Sequence, residues 1–301
     1  MTAEQKQRQM AGRVCLVTGA NGSMGRVIST ELARRGATVV LVCRTPDQGD
    51  SLKREIVHAT GNSSVESLSA DLSSQADIRQ LASAFLESHS RLHVLVNNAG
   101  AHFKERGLTT DGIERHFAVN HLGWFLLTNL LLDTLKASAP ARIVNVASEA
   151  MADSREIKVG KVKLVPLDLD DLQAERGFES MRVYGRSKLA MVMCGYALAR
   201  RLDGSEVTVN ALHPGLVGTN IVDDISPGWA RPFLGLIKRF LLTPEEGAQT
   251  AIYLATAPEV ATVTGKYFIK SREHRSPEVS YDPAQQDAIW NASAALVGPR
   301  P

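Results

Sequence analysis

The sequence predicts one α/β domain built on a doubly wound parallel sheet, and three observations carry that prediction. Short, β-branched apolar runs alternate with amphipathic stretches along the whole chain, as expected of strands covered by helices on both faces. The first run opens into a glycine-rich turn and then a helical pattern, the arrangement in which helix N–H groups receive a phosphate. No internal repeat, linker or low-complexity segment interrupts the 301 residues, a length that one large domain accommodates.

The elements follow in order. Residues 1–12 are polar and are expected to extend outside a domain covering 13–297, with 298–301 as a tail. Strands are predicted at Arg13–Thr18, Thr38–Cys43, Val65–Ala70, Val94–Val96 with its flanks, Arg142–Val146, Val207–Leu212 and Lys266–Ile269. Helical patterns fill the gaps at about 24–35, 49–60, 74–88, 111–137, 181–203 and 244–256. Two long connections depart from the alternation, Glu149–Ser180 and 217–242. In the second, Phe233, Leu236, Ile237 and Phe240 recur at helical spacing. That stripe suits a substrate lid, or a face packed on the core or on a second subunit.

Composition narrows the function classes. The chain is 44% hydrophobic and 22% charged, with a net charge of +2, so nothing draws it strongly toward nucleic acid or a lipid surface. No apolar run approaches the roughly 18 residues of a membrane span. Cys15, Cys43 and Cys194 fall inside predicted strands and a helix, which favours buried free thiols and a reducing, cytoplasmic setting. The eight histidines lack metal-ligand spacing, so no metal is expected. His116 and His121, five apart on one helix, do not share a face, and His213 precedes Pro214 near the expected cofactor cleft.

Chemistry enters at Tyr184-Gly185-Arg186-Ser187-Lys188. On a helix, residues four apart share a face. An ammonium there favours phenolate and moves a phenol with a free pKa of about 10 toward an acid/base range. Alone the spacing equally fits an exposed helical face. Beside it stand Thr18-Gly19-Ala20-Asn21-Gly22-Ser23-Met24-Gly25, Asn97-Asn98-Ala99-Gly100, Asn120 within Phe117–His121, Ser148 at the end of Arg142–Val146, and Pro214-Gly215 with Thr219.

In this order the motifs resemble those of the short-chain dehydrogenase/reductase family, which implies a Rossmann-type sheet. The long connection after Ser148, Leu167–Leu172 and Thr243–Ala248 resemble the retinol-dehydrogenase-like group, whose relatives include reductases of bulky ketones in secondary metabolism. By that resemblance Ser148 bonds the substrate carbonyl and Tyr184 moves the proton. Lys188 lowers the tyrosine pKa and holds the nicotinamide ribose, and Asn120 fixes a water leading to Lys188. Gly19, Asn21, Ser23, Met24 and Gly25 would cradle the cofactor phosphates. Asp71 and Leu72 would flank the adenine, with Asn98, Ala99 and Gly100 beside them. Pro214, Gly215, Val217 and Thr219 would meet the nicotinamide end. Ser23 stands where the family's core branch has a glycine, and the letters also fit the TGxxGxxG of its sugar-nucleotide branch.

Cofactor choice turns on the end of the second strand. An acid there binds the ribose hydroxyls of NAD. This chain has Arg44 instead and no acid until Asp47; a guanidinium can hold a 2′-phosphate bidentately. The expectation is NADP(H) with a bulky hydrophobic ketone, aldehyde or alcohol as substrate. An epimerase/dehydratase-like member and a non-catalytic NADP(H)-binding sensor are the alternatives. Helices 111–137 and 181–203 resemble those that pair family members into homodimers or homotetramers.

Overall fold

A computed structural model describes residues 9–151, 167–218 and 241–298. β-branched runs at Val14–Thr18 (β1), Thr38–Cys43 (β2), Val65–Ser69 (β3), Val94–Asn97 (β4), Ala141–Val146 (β5), Val207–His213 (β6) and Lys266–Ile269 (β7) form one parallel sheet. Arg272–His274 (β8) pairs antiparallel on its edge. The order is β3-β2-β1-β4-β5-β6-β7-β8. The chain therefore reverses direction between β1 and β4, where a crevice opens beyond the strand carboxyl ends.

Alternation along β1 explains the two layers. Cys15 and Val17 face one side and Leu16 the other, all fully buried. Helices Ser23–Arg34 (α1), Pro46–Thr60 (α2) and Pro244–Thr256 (α8) cover the first face. The second face carries Gln75–Ser88 (α3), Arg115–Phe117 (α4), Gly123–Leu130 (α5), Leu132–Ala137 (α6), Ser180–Arg201 (α7) and Pro283–Val297 (α9). α8 begins in a capping box between Thr243 and Glu246, which satisfies two orphan N–H groups.

Several expectations are corrected. Residues 9–12 do not stand outside the domain: Met10 is buried, its N–H meets the Arg35 carbonyl at 2.8 Å, and Gln9 reaches the Thr256 carbonyl at 2.8 Å. The predicted helix at 111–137 starts only at Arg115. It is interrupted by a π-helical turn at Ala118–Leu122 and again at Leu131. α2 begins at Pro46, whose fixed φ suits the first turn, so Asp47 lies inside a helix. The edge strand β3 is half-exposed rather than fully covered.

β8 and α9 have no counterpart in the periodicity. α9 is capped by the Asp282 carboxylate, which accepts from the Ala284 and Gln285 N–H groups, with Pro283 at its first position. It lies across α5 and α7: Trp290 meets Phe125 edge-on at 4.7 Å, and the Arg201 guanidinium sits 4.4 Å over the Trp290 ring. Parts of both helices expected to pair subunits are thus covered by α9.

All three cysteines are free and buried. No described helix is long and apolar enough to cross a membrane. The stripe Phe233, Leu236, Ile237 and Phe240 lies outside the described residues. The flanks of that segment are joined: the Gly218 N–H donates to the Leu242 carbonyl (3.1 Å) and the Leu242 N–H to the Leu216 carbonyl (2.9 Å).

Candidate active site

The predicted residues that the structure describes lie on the segments following β1 to β6, on the π turn before α5 and on α7. At β1 the chain turns through Gly19, whose φ of +62° favours glycine; a Cβ there would come within 2.9 Å of the Ala99 Cα. A Cβ on Gly25 would collide with the Gly19 carbonyl oxygen and lie 2.8 Å from the Asn98 Nδ2. Only hydrogen permits this approach. Asn98 returns the contact, donating from Nδ2 to the Thr18 and Gly19 carbonyls at 3.0 and 3.1 Å. Thr18 Oγ1 accepts from the N–H groups of Asn98 (3.0 Å) and Ala99 (3.1 Å). The two loops are therefore one structure, with Thr18 as the stitch.

Helix α1 opens at Ser23 after an extended Gly22, with no side-chain cap and no acid in its first turn. Its leading N–H groups and positive dipole end suit a phosphate. Ser23 is exposed and Met24 buried. Arg44 is exposed at the end of β2. Asp71 follows β3 and its carboxylate accepts from the Ser73 N–H at 2.9 Å. Leu72 packs on the π-turn helix, its carbonyl 3.0 Å from where a Cβ on Gly123 would lie. Gly cradle, uncapped helix and lone arginine together fit a nicotinamide dinucleotide.

The reactive end is tighter. Tyr184 is buried in α7 and its hydroxyl faces Ser148, which follows β5. Gly185 lets α7 approach that turn, since a Cβ there would strike the Ala150 carbonyl. Lys188 Nζ donates to the Val146 carbonyl at 2.9 Å and sits 6.0 Å from the Tyr184 ring centroid. Asn120 lies in the π turn. Its Oδ1 accepts from the Ala101 N–H (2.8 Å), and its Nδ2 donates to the Ala101 carbonyl (2.9 Å) and Ser187 Oγ (3.1 Å). The backbone of Gly100 separates the two side chains: a Cβ there would be 3.1 Å from Lys188 Nζ and 3.4 Å from Asn120 Oδ1.

Electrostatics departs from the expectation for Tyr184. In the protein alone, burial pushes its phenol up to about 12, only partly opposed by Ser148. Burial also brings Lys188 down to about 8. Desolvation penalises the charged form of each group, and for each it is the largest cause of the shift. At neutral pH the pair is a protonated phenol beside an ammonium poised to lose its proton.

His213, at the end of β6, braces the turn that follows Ser148. Its Nδ1 accepts from the Glu149 N–H (3.2 Å) and its Nε2 meets the Glu149 carboxylate (3.2 Å). Burial lowers its pKa, with Glu149 opposing. Pro214, Gly215 (φ +91°) and Val217 follow; Thr219 lies outside the described residues. Thr18, Ser187 and the Val146 carbonyl were not singled out as site residues. Thr18 stood inside the quoted motif, whereas a backbone acceptor leaves no trace in a sequence. Among the described residues no three His, Cys, Asp or Glu side chains cluster as metal ligands.

Comparison with known proteins agrees with this geometry. Residues 13–158 match the short chain dehydrogenase family model, and 167–270 match a model described as enoyl-(acyl carrier protein) reductase. Mouse retinol dehydrogenase 14 is 40% identical over 96% of this chain and 87% of its own length. Among solved structures, an uncharacterized protein of Mycobacterium paratuberculosis superposes with a TM-score of 0.75 at 29% identity, covering 100% of this chain and 98% of its own. The Pseudomonas aeruginosa RhlG/NADP complex superposes with a TM-score of 0.68 at 28% identity, covering 87% and 96%. The chain belongs to the short-chain dehydrogenase/reductase family, within its retinol-dehydrogenase-like group.

Proposed function

We propose that this oxidoreductase uses NADP(H) to interconvert a bulky hydrophobic ketone or aldehyde and its alcohol. The observation that carries the reading is the buried Tyr184, its hydroxyl toward Ser148 and one helical turn from Lys188, beside the crevice where the strand order reverses. NADP(H), when bound, supplies or accepts the hydride. It would lie on Gly19, Asn21, Ser23, Met24 and Gly25, reach Asp71, Leu72, Asn98, Ala99 and Gly100, and end at Lys188, Pro214, Gly215, Val217 and Thr219.

The chain's own residues handle the proton. Ser148 orients the substrate oxygen, and Tyr184 gives its proton to that oxygen on reduction. The developing phenolate is stabilised by the Lys188 ammonium. Asn120, aligned by Ala101, relays a water toward Lys188, which restores the proton from solvent. General acid catalysis of this kind contributes about 10²–10⁴ in rate. Arg44 favours the 2′-phosphate. The substrate class follows the retinol dehydrogenases, whose name specifies a large apolar alcohol.

The test is NADPH oxidation against a panel of retinal-like aldehydes and bulky ketones, with Arg44→Glu alongside. Turnover with NADPH, lost in Tyr184→Phe and shifted toward NADH by Arg44→Glu, is the expected result. Tight NADPH binding with no turnover across the panel overturns the catalytic reading.

A further inference from the structure

We infer that His102 is a positioning residue for Tyr184, clamped in place by a buried Glu114–His116 pair. The inference rests on the proposed role of Tyr184 in proton transfer. His102 follows the Asn97–Ala101 loop and is 7% exposed. Its Nε2 meets Ser180 Oγ at 3.0 Å, and its ring stands edge-on to the Tyr184 ring, 5.9 Å between centroids and 71° between planes. Ser180 and Tyr184 lie four apart on α7 and so share a face. His102 thus touches the tyrosine helix at two successive positions on the side that carries the phenol.

The loop backbone is pinned on both sides of His102. Ala101 is held by two hydrogen bonds to Asn120, at 2.8 and 2.9 Å. The Phe103 N–H donates to His116 Nε2 at 2.9 Å. A backbone N–H can only donate, so that nitrogen of His116 is the acceptor. The proton then sits on Nδ1, which donates to Glu114 Oε1 at 2.9 Å. Glu114 Oε2 accepts from the Phe117 N–H at 2.9 Å and caps α4. Glu114 and His116 are both fully buried. Burying such a pair costs more than an apolar filling unless its geometry serves something, and here each of the four bonding atoms has a partner.

The consequence is a ring held at both ends. Ser148 stands at the Tyr184 hydroxyl, while His102 (and, at 6.2 Å, His116) walls the ring itself. Small misplacements of a proton donor cost rate out of proportion to their size, so the wall bears on kcat rather than on cofactor binding.

The test labels the protein with 3-fluorotyrosine, which gives five ¹⁹F resonances for its five tyrosines; Tyr184→Phe assigns the one of interest. In His102→Ala the Tyr184 resonance is expected to shift and broaden while the other four stay in place. His102→Phe, which keeps a ring, is expected to restore it. His102→Leu, which fills the space without a ring, is read in the same way should the alanine variant not fold. With any carbonyl the wild type reduces, His102→Ala lowers kcat roughly tenfold with the KM for NADPH unchanged, and His102→Phe recovers it. A Tyr184 resonance indifferent to both His102→Ala and His102→Leu overturns the inference. If the wild type reduces nothing, the proposed activity fails, and the resonances still decide whether His102 holds the ring.

Discussion

The Lys188 ammonium donates a hydrogen bond to the carbonyl of Val146, 2.9 Å away, two residues before Ser148. The end of one strand therefore holds both the lysine and the serine that bracket Tyr184. That shared anchor is bought with desolvation, since burial brings the lysine down to about 8 from an ordinary 10.5.

Removing this amine is expected to separate function from stability. Lys188→Met should lower kcat by about 10²–10⁴. The sign of its stability effect follows from linkage. The folded-state pKa is depressed, so the wild type loses stability as pH falls from 10.5 through about 8, and the methionine variant does not. Urea unfolding at pH 10 and pH 8 should show the variant gaining on the wild type at the lower pH. Equal differences at both would remove the argument.

His121 should make the fold acid-sensitive. It is fully buried, its Nε2 2.7 Å from Ser293 Oγ, and burial alone pulls it down to about 3 from 6.5. Below pH 6.5 the unfolded chain takes a proton that the folded chain refuses until about 3, so stability is lost as pH falls across that window. The slope is about 1.4 kcal/mol per pH unit. Between pH 6.5 and 5 the wild type should lose about 2 kcal/mol more than His121→Leu, measured by chemical denaturation. Parallel pH profiles would sink this.

Gly25→Ala is predicted to damage the cofactor cradle. The new methyl would meet the Gly19 carbonyl and lie 2.8 Å from the Asn98 amide, displacing the bonds that join the two loops. NADPH affinity should fall at least tenfold, or about 1.4 kcal/mol, by fluorescence titration. Gly61→Ala is the control. Its φ of +70° leaves open space for the methyl, so it should cost about 1 kcal/mol of stability and leave affinity alone.

The three thiols should be silent in the native state. Cys15 is pushed up to about 12 by burial, and Cys43 and Cys194 are raised by the same cause. Reactivity follows thiolate content and access. Titration with a chromogenic disulfide should find three thiols in denaturant and no rapidly reacting one before it. A fast native thiol would contradict the burial described.

Much of the sheet was legible because its strands are covered on both faces and so read as apolar runs. β2 and β7 coincide with their predicted bounds. α9 escaped because its alanines, glutamines, serine and asparagine blur the apolar stripe, although Asp282-Pro283 is a recognisable start signal. The π turn at Ala118–Leu122 escaped because one extra residue per turn has no compositional mark. Asn120 was nonetheless found, through motif rather than periodicity. The direction of the Tyr184 shift was misjudged for a physical reason. Sequence displays the neighbouring lysine but not the depth of burial, and burial is the largest cause of the shift. The Glu114–His116 pair was invisible as a unit, since two residues apart on a regular helix would have pointed them different ways.

Helix α9 has a consequence for biosynthesis. It is translated after every strand of the sheet, yet it supplies the cover for Phe125 and His121 through Trp290 and Ser293. A nascent chain that has already assembled its strands therefore still displays an oily surface on α5 and α7. Until the ribosome has delivered this helix, that surface is a target for holdase chaperones and for sticking between unfinished chains.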